Sequence, residues 1–157
     1  MNLLKILSAS FAGTSLMTAF SYYRSDERNR QFKEPVLLNK LLTRTRFRKP
    51  ALELLPLPGW LIHYMIGTSY TICYHYLWKC TNVNPTVQSG LWLGLISGLN
   101  GSAGWKLIFS NHPDPPDINF KKFYQHLLPA HIIFALGATA VYKISQNKIK
   151  RNQSGSR

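Results

Sequence analysis

Four apolar runs, each about as long as the ~20 residues a helix needs to cross a bilayer, alternate along the chain with polar connectors that carry nearly all of its charge. They cover residues 3–23, 59–78, 88–109 and 123–144. Each predicts a membrane-spanning helix. The third run, GLWLGLISGLNGSAGWKLIF, places Gly90, Gly94, Gly98, Gly101 and Gly104 at steps of four, four, three and three. That spacing keeps them on one helical face. In water such a glycine content weakens a helix, whereas in lipid a small-residue stripe lets backbones approach closely. The pattern predicts that this is the most enclosed helix of a small bundle.

The first run has its own small patch, Gly13 with Ala9, Ala12 and Ser15. Lys5 lies near its end and can snorkel. A cleaved signal peptide is the competing reading, but no convincing small-x-small site follows the apolar core. In the second run, Trp60 and Trp78 stand at the two ends like interfacial anchors. His63, Gly67, Thr71, Tyr74 and Trp78 share one helical face. The fourth run contains His126, Pro129 and His131, and residues 146–157 read as a polar, basic tail with a disordered end.

The connector 24–58 changes the picture because it holds nine of the 19 basic residues. Pro35 suits a first helical position. After it, Val36, Leu37, Leu38, Leu41 and Leu42 form an apolar patch, while Lys40, Arg44 and Arg48 lie four apart on another face. This predicts a short basic amphipathic helix at the interface between spans one and two, its cations on anionic lipid headgroups. An ordinary solvated loop is the plainer alternative. The expected fold is therefore an all-α integral membrane four-helix bundle, with residues 1–145 as a single transmembrane domain. Spans one and three share small residues, and spans two and four each carry an early His, which suggests two repeated helix pairs.

Net charge is +13, which suits either nucleic acid or an anionic membrane surface. The apolar runs decide for the membrane, and no nucleic-acid partner is expected. The positive-inside rule puts connector 24–58 in the cytoplasm of a bacterial inner membrane. Four spans then leave 12 basic residues inside against 7 outside, with the basic tail outside. Three spans and a re-entrant segment would bring the tail inside. Cys73 and Cys80, seven apart on one helix, are about 10 Å apart by rise and too far for a disulfide.

No phosphate loop, nucleophile elbow, paired-Cys or H-E-x-x-H motif is present. Catalytic residues are not assigned, and the chain leans away from being an enzyme. The histidines are the remaining ligand-capable group. His63 and His131 on facing helices are candidates to hold haem, or, with His112, a divalent metal; hydrogen-bonded His at helix ends is the bland reading. His75 is about 18 Å along the helix from His63 and cannot join. Asn100 is a polar group at membrane depth, and Gly13, Gly67 and the third-run glycines are the helix-packing candidates. No acid lies inside any span, which argues against a carboxylate relay.

The stretches MTAFSYY, EPVLLNKLL, GWLIHYMIG, GWKLIFSNHPDPP and AHIIFALGA resemble a group of small bacterial inner-membrane proteins. The Bacteroidota versions are nearest in character, and the YagU-like proteins are a more distant likeness. The resemblance covers roughly residues 10–143. It implies a four-helix multi-pass membrane protein and supplies no catalytic residues. The functional expectation is a structural, interaction or membrane-stress-related bundle, acting on itself or on a membrane partner protein. A haem- or metal-binding redox carrier and a small transporter subunit are the rivals.

Overall fold

The computed structural model describes residues 3–25, 31–44 and 57–154, with side chains to Lys148. Among the described residues every regular element is a helix: α1 (Leu3–Arg24), α2 (Glu34–Thr43), α3 (Leu57–Cys80), α4 (Val87–Asn111) and α5 (Phe120–Ser154). The four long helices occupy the four apolar runs. Two of them, α1 and α5, are long and apolar enough to cross a membrane, by length and composition alone. That test is also passed by a buried core helix or a signal sequence. Helices α3 and α4 are 24 and 25 residues long but more polar. Their Ser, Thr, His, Tyr and Gly residues lower the average even where they face inward.

The long helices run alternately up and down. Ser10 meets Thr68 and Thr18 meets His63 across α1 and α3. Gly94 faces Ile132 and Gly98 faces Leu128 across α4 and α5. Tyr74 donates to Ser97 Oγ at 2.8 Å across α3 and α4. The turn into α4 is held by a reciprocal cap, in which Ser89 N–H donates to Thr86 Oγ1 and Thr86 N–H donates to Ser89 Oγ.

The hub of the bundle is α5, not the Gly-rich helix. On α5, Phe123, Leu127, Ala130, Phe134, Ala135, Ala138 and Tyr142 are all buried. Helix α4 is packed along one face only, and Trp92, Ile96, Leu99 and Leu107 on its other faces are exposed. The reason is local. A Cβ on Gly94 would stand 2.6 Å from Ile132 Cα, and one on Gly98 would stand 2.9 Å from Leu128 Cδ1. The stripe thus serves one close neighbour, while Gly104 has nothing within 4 Å. Helix α5 carries small residues on a second face as well. Gly137 lies against Gly13 of α1, where a Cβ would stand 3.4 Å from Gly13 Cα.

Three more expectations change. Helix α5 continues through most of the basic tail to Ser154, because KISQNKIKRNQS contains no Gly or Pro and is rich in good helix formers. Trp78 is buried against Tyr142, with ring centroids 4.6 Å apart, so it is a core residue and not an outer anchor. Helix α2 is held by the bundle through buried Leu37, Leu38 and Leu41. It lies across the start of α3, where Gly59 leaves room for the α2 backbone at Pro35 and Asn39.

Candidate functional site

Helix α1 presents a ridge of hydroxyls to the interior: Ser10, Thr14, Thr18 and Ser21, all buried. Their spacing of four, four and three keeps them on one face. The ridge sorts the polar groups that the other helices bring inward.

Thr18 Oγ1 donates to Thr14 O at 2.7 Å. A hydroxyl has one proton, so at its 2.9 Å contact with His63 it accepts from Nε2–H. One turn on, Ser21 Oγ donates to Glu34 Oε1 at 2.7 Å and by the same logic accepts from His126 Nε2–H at 2.9 Å. The His126 ring is sandwiched between Phe32 and Phe20, with centroids 4.1 and 5.1 Å away and planes within 4° and 10° of parallel. His131 Nδ1 donates to Leu127 O at 2.8 Å. Its Nε2 edge lies against Gly101, where a Cβ would stand 2.7 Å away.

These groups surround a cavity of about 40 Å³ in the bundle interior. Thr14, Glu34, His63, Tyr70, Trp105 and His131 are among its lining residues. On that measure a water needs roughly 10–15 Å³, so the chamber has room for about two or three. Two fully buried oxygens at its wall, Thr14 Oγ1 and Glu34 Oε2, have no hydrogen-bond partner among the described residues. Buried polar atoms without a partner are rare, and an internal water is their usual complement.

Glu34 enters from α2, outside the long helices. It is 1% exposed. Burial pushes its carboxyl up to about 8, against the opposing effect of the hydrogen bonds from Ser21 and its own backbone. Such a group is largely a neutral acid at neutral pH. No Lys or Arg among the described residues forms an ion pair with it; the exposed Arg44–Asp114 pair, at 3.6 Å, lies elsewhere on the connectors.

The sequence singled out His63 and His131, and both reach this chamber. It did not foresee Glu34, Ser21, Thr18 or Thr14. The signal was available in the hydroxyl stripe on an otherwise apolar helix, and in a lone acid ahead of the apolar patch of α2. The chamber that His63 and His131 share, at about 40 Å³, is far smaller than the several hundred Å³ of a usual cofactor pocket. The metal expectation fails on geometry: among the described residues no three His, Cys, Asp or Glu side chains could hold an ion together. His112 instead donates from Nε2 to Leu41 O and accepts at Nδ1 from Asp114 N–H. It pins the Pro-rich connector to α2. His75 pairs with the Tyr142 hydroxyl.

Asn100 is exposed and accepts from Tyr70 OH at 2.8 Å, so it does not line an internal polar path. Of the three cations expected on headgroups, Lys40 donates to Gln31 and Arg44 to Pro115 O, while Arg48 lies outside the described residues. Cys73 and Cys80 are free and exposed.

Comparison with protein-family models, curated proteins and solved structures finds no match for this chain.

Proposed function

We propose that this chain is a multi-pass membrane protein in which α1, α3, α4 and α5 all cross the bilayer. In this reading α2 and the basic connectors lie on its anionic, cytoplasmic side. The observation that carries the reading is the inverted distribution of polarity. Leu4, Phe11, Leu61, Met65, Trp92, Ile96, Leu99 and Leu107 point outward, while Thr14, Thr18, Ser21, His63, Thr71, His75, Ser97, His126 and His131 are buried. In water this arrangement exposes apolar area at roughly 25 cal/mol per Å². In lipid it is the favourable one, because the acyl chains solvate Leu and Phe and the interior satisfies the polar groups.

The protein works by binding and not by catalysis. Several inward hydroxyls donate back to their own helices, as Thr71 does to Gly67 O and Thr139 to Ala135 O; Ser21, which instead meets Glu34 and His126, is fully buried and out of reach of a substrate. The packing support for a partner-binding role has shifted. The glycines from 90 to 101 are used inside the bundle, which leaves the outer Leu, Ile and Trp faces for lipid, a second copy or a membrane partner. Extraction of native membranes is the test. The chain should stay in the pellet after alkaline carbonate and be released by mild detergent. Recovery as a soluble monomer without detergent would overturn the reading.

A further inference from the structure

The interior chamber and a second opening are linked by hydrogen bonds through Ser21, which joins Glu34 at the chamber wall to His126 at the opening. At the end of the bundle where α1 finishes and α5 begins, a cleft of about 230 Å³ is lined by Phe20, Arg24, Phe32, Lys122, Gln125, His126 and Pro129. Pro129 has no N–H to return to Gln125 O, so the helix lacks that backbone bond beside the cleft. His126 is committed to Ser21 through Nε2, which leaves Nδ1 as its nitrogen on the cleft side. From there an unbroken line of hydrogen bonds, His126 to Ser21 to Glu34, leads to the chamber.

We propose that Glu34 is a proton-binding site loaded from this cleft through His126 and Ser21, with the chamber water as its second partner. The step balances as a relay. A hydronium in the cleft gives its proton to His126 Nδ1 and becomes water. His126 Nε2 gives its proton to Ser21 Oγ, and Ser21 gives its own to the Glu34 carboxylate at Oε1. His126 ends neutral, carrying its proton on Nδ1, and the carboxylate ends as an acid whose unshared oxygen faces the chamber.

The groups that face Glu34 come from every element packed around it. Helix α1 presents Tyr22 and Arg24, α3 presents His63, α5 presents His126 and His131, α4 contributes only Trp105 to the chamber, and Lys33 beside Glu34 stacks over the Tyr22 ring at 5.2 Å. Towards the other end of the bundle, the large rings of Tyr74, Trp78 and Phe134 are buried. The shift of the Glu34 carboxyl to about 8 would set the site to load and release near neutral pH. The site does not depend on how many helices cross the bilayer, so it can fail while the membrane reading stands, and the reverse.

The test is infrared spectroscopy of the full chain in detergent, with glutamate carrying a ¹³C carboxyl label. The chain has only three glutamates, Glu27, Glu34 and Glu53. A label-shifted carbonyl band of a protonated acid is expected at about pH 6, with loss centred at about 8, and it should be missing in Glu34→Gln. Because the label is read in the unmutated protein, the result stands even if that variant folds poorly. In D₂O the band should exchange promptly in the wild type. It should exchange about a hundredfold more slowly in Ser21→Ala and His126→Phe, where the relay is cut, and the second substitution keeps the aromatic sandwich. No labelled acid band at about pH 6 would overturn the site. Unchanged exchange in both variants would overturn the route.

Discussion

At the residue scale, Glu34 links folding to pH in a direction opposite to most carboxylates. Its native value of about 8 stands above the ordinary 4.5 of an exposed glutamate. Below the lower value both states hold the proton and Glu34 imposes no penalty. Between the two values only the unfolded chain ionises, so stability falls as pH rises, and the loss is complete above the upper one. Three to four units of difference correspond to about 5 kcal/mol. Thermal melts in detergent should therefore decline from about pH 5 to about pH 8 in the wild type, and Glu34→Gln should flatten that decline. A parallel decline in both proteins would assign the pH dependence to other groups. Pro35 at the second position of α2 was readable from the sequence as a helix start. The burial of the acid before it was not, because that depends on Ser21, 13 residues away.

At the element scale, the glycine stripe makes a graded prediction. Gly94→Ala puts a methyl against the α5 backbone at Ile132, where flexible side chains cannot yield, and should cost about 1–3 kcal/mol. Gly104→Ala meets open space and should be neutral, or stabilise by about 0.5–1 kcal/mol through helix propensity. Unfolding titrations of both variants in mixed micelles would check the order, and equal effects would mean that the stripe does not pack against α5. The stripe itself was legible in the spacing of the glycines. Which helix it faces was not, and the Gly-rich helix turned out peripheral because its stripe serves α5 alone, whereas α5 packs against both α1 and α4. The face of α3 carrying His63, Gly67, Thr71, Tyr74 and Trp78 was readable from spacing, and all five are buried.

At the scale of the whole molecule, the proposed reading takes all four long antiparallel helices across the bilayer. Helix α5, 35 residues long, spans roughly 50 Å and would project beyond a ~30 Å hydrocarbon core. The tail then lies on the side opposite the basic connector. The two native cysteines test this without new residues. Cys80 ends α3 at the far side from connector 24–58, and Cys73 lies about two turns inside it. On the proposed reading, a membrane-impermeant maleimide applied to intact cells should modify Cys80 and spare Cys73. Labelling of Cys80 only after the cells are opened would reverse the orientation. Equal labelling of both would remove the bilayer from around α3.

By itself the sequence determined the number and class of the long helices, the concentration of cations in one connector, and which face of α3 turns inward. These follow from local apolar periodicity and composition, which a single segment expresses on its own. Tertiary structure decided that α5 is the hub, that His63 and His131 share a chamber too small for haem, and that a glutamate from a connector completes it. Those outcomes depend on pairings between segments far apart in the chain: Ser21 with His126, Gly101 with His131, and α2 with the first turn of α3. No window of sequence records such pairings, because each is set by which small residues let two backbones come close and which buried polar atoms must then find a partner.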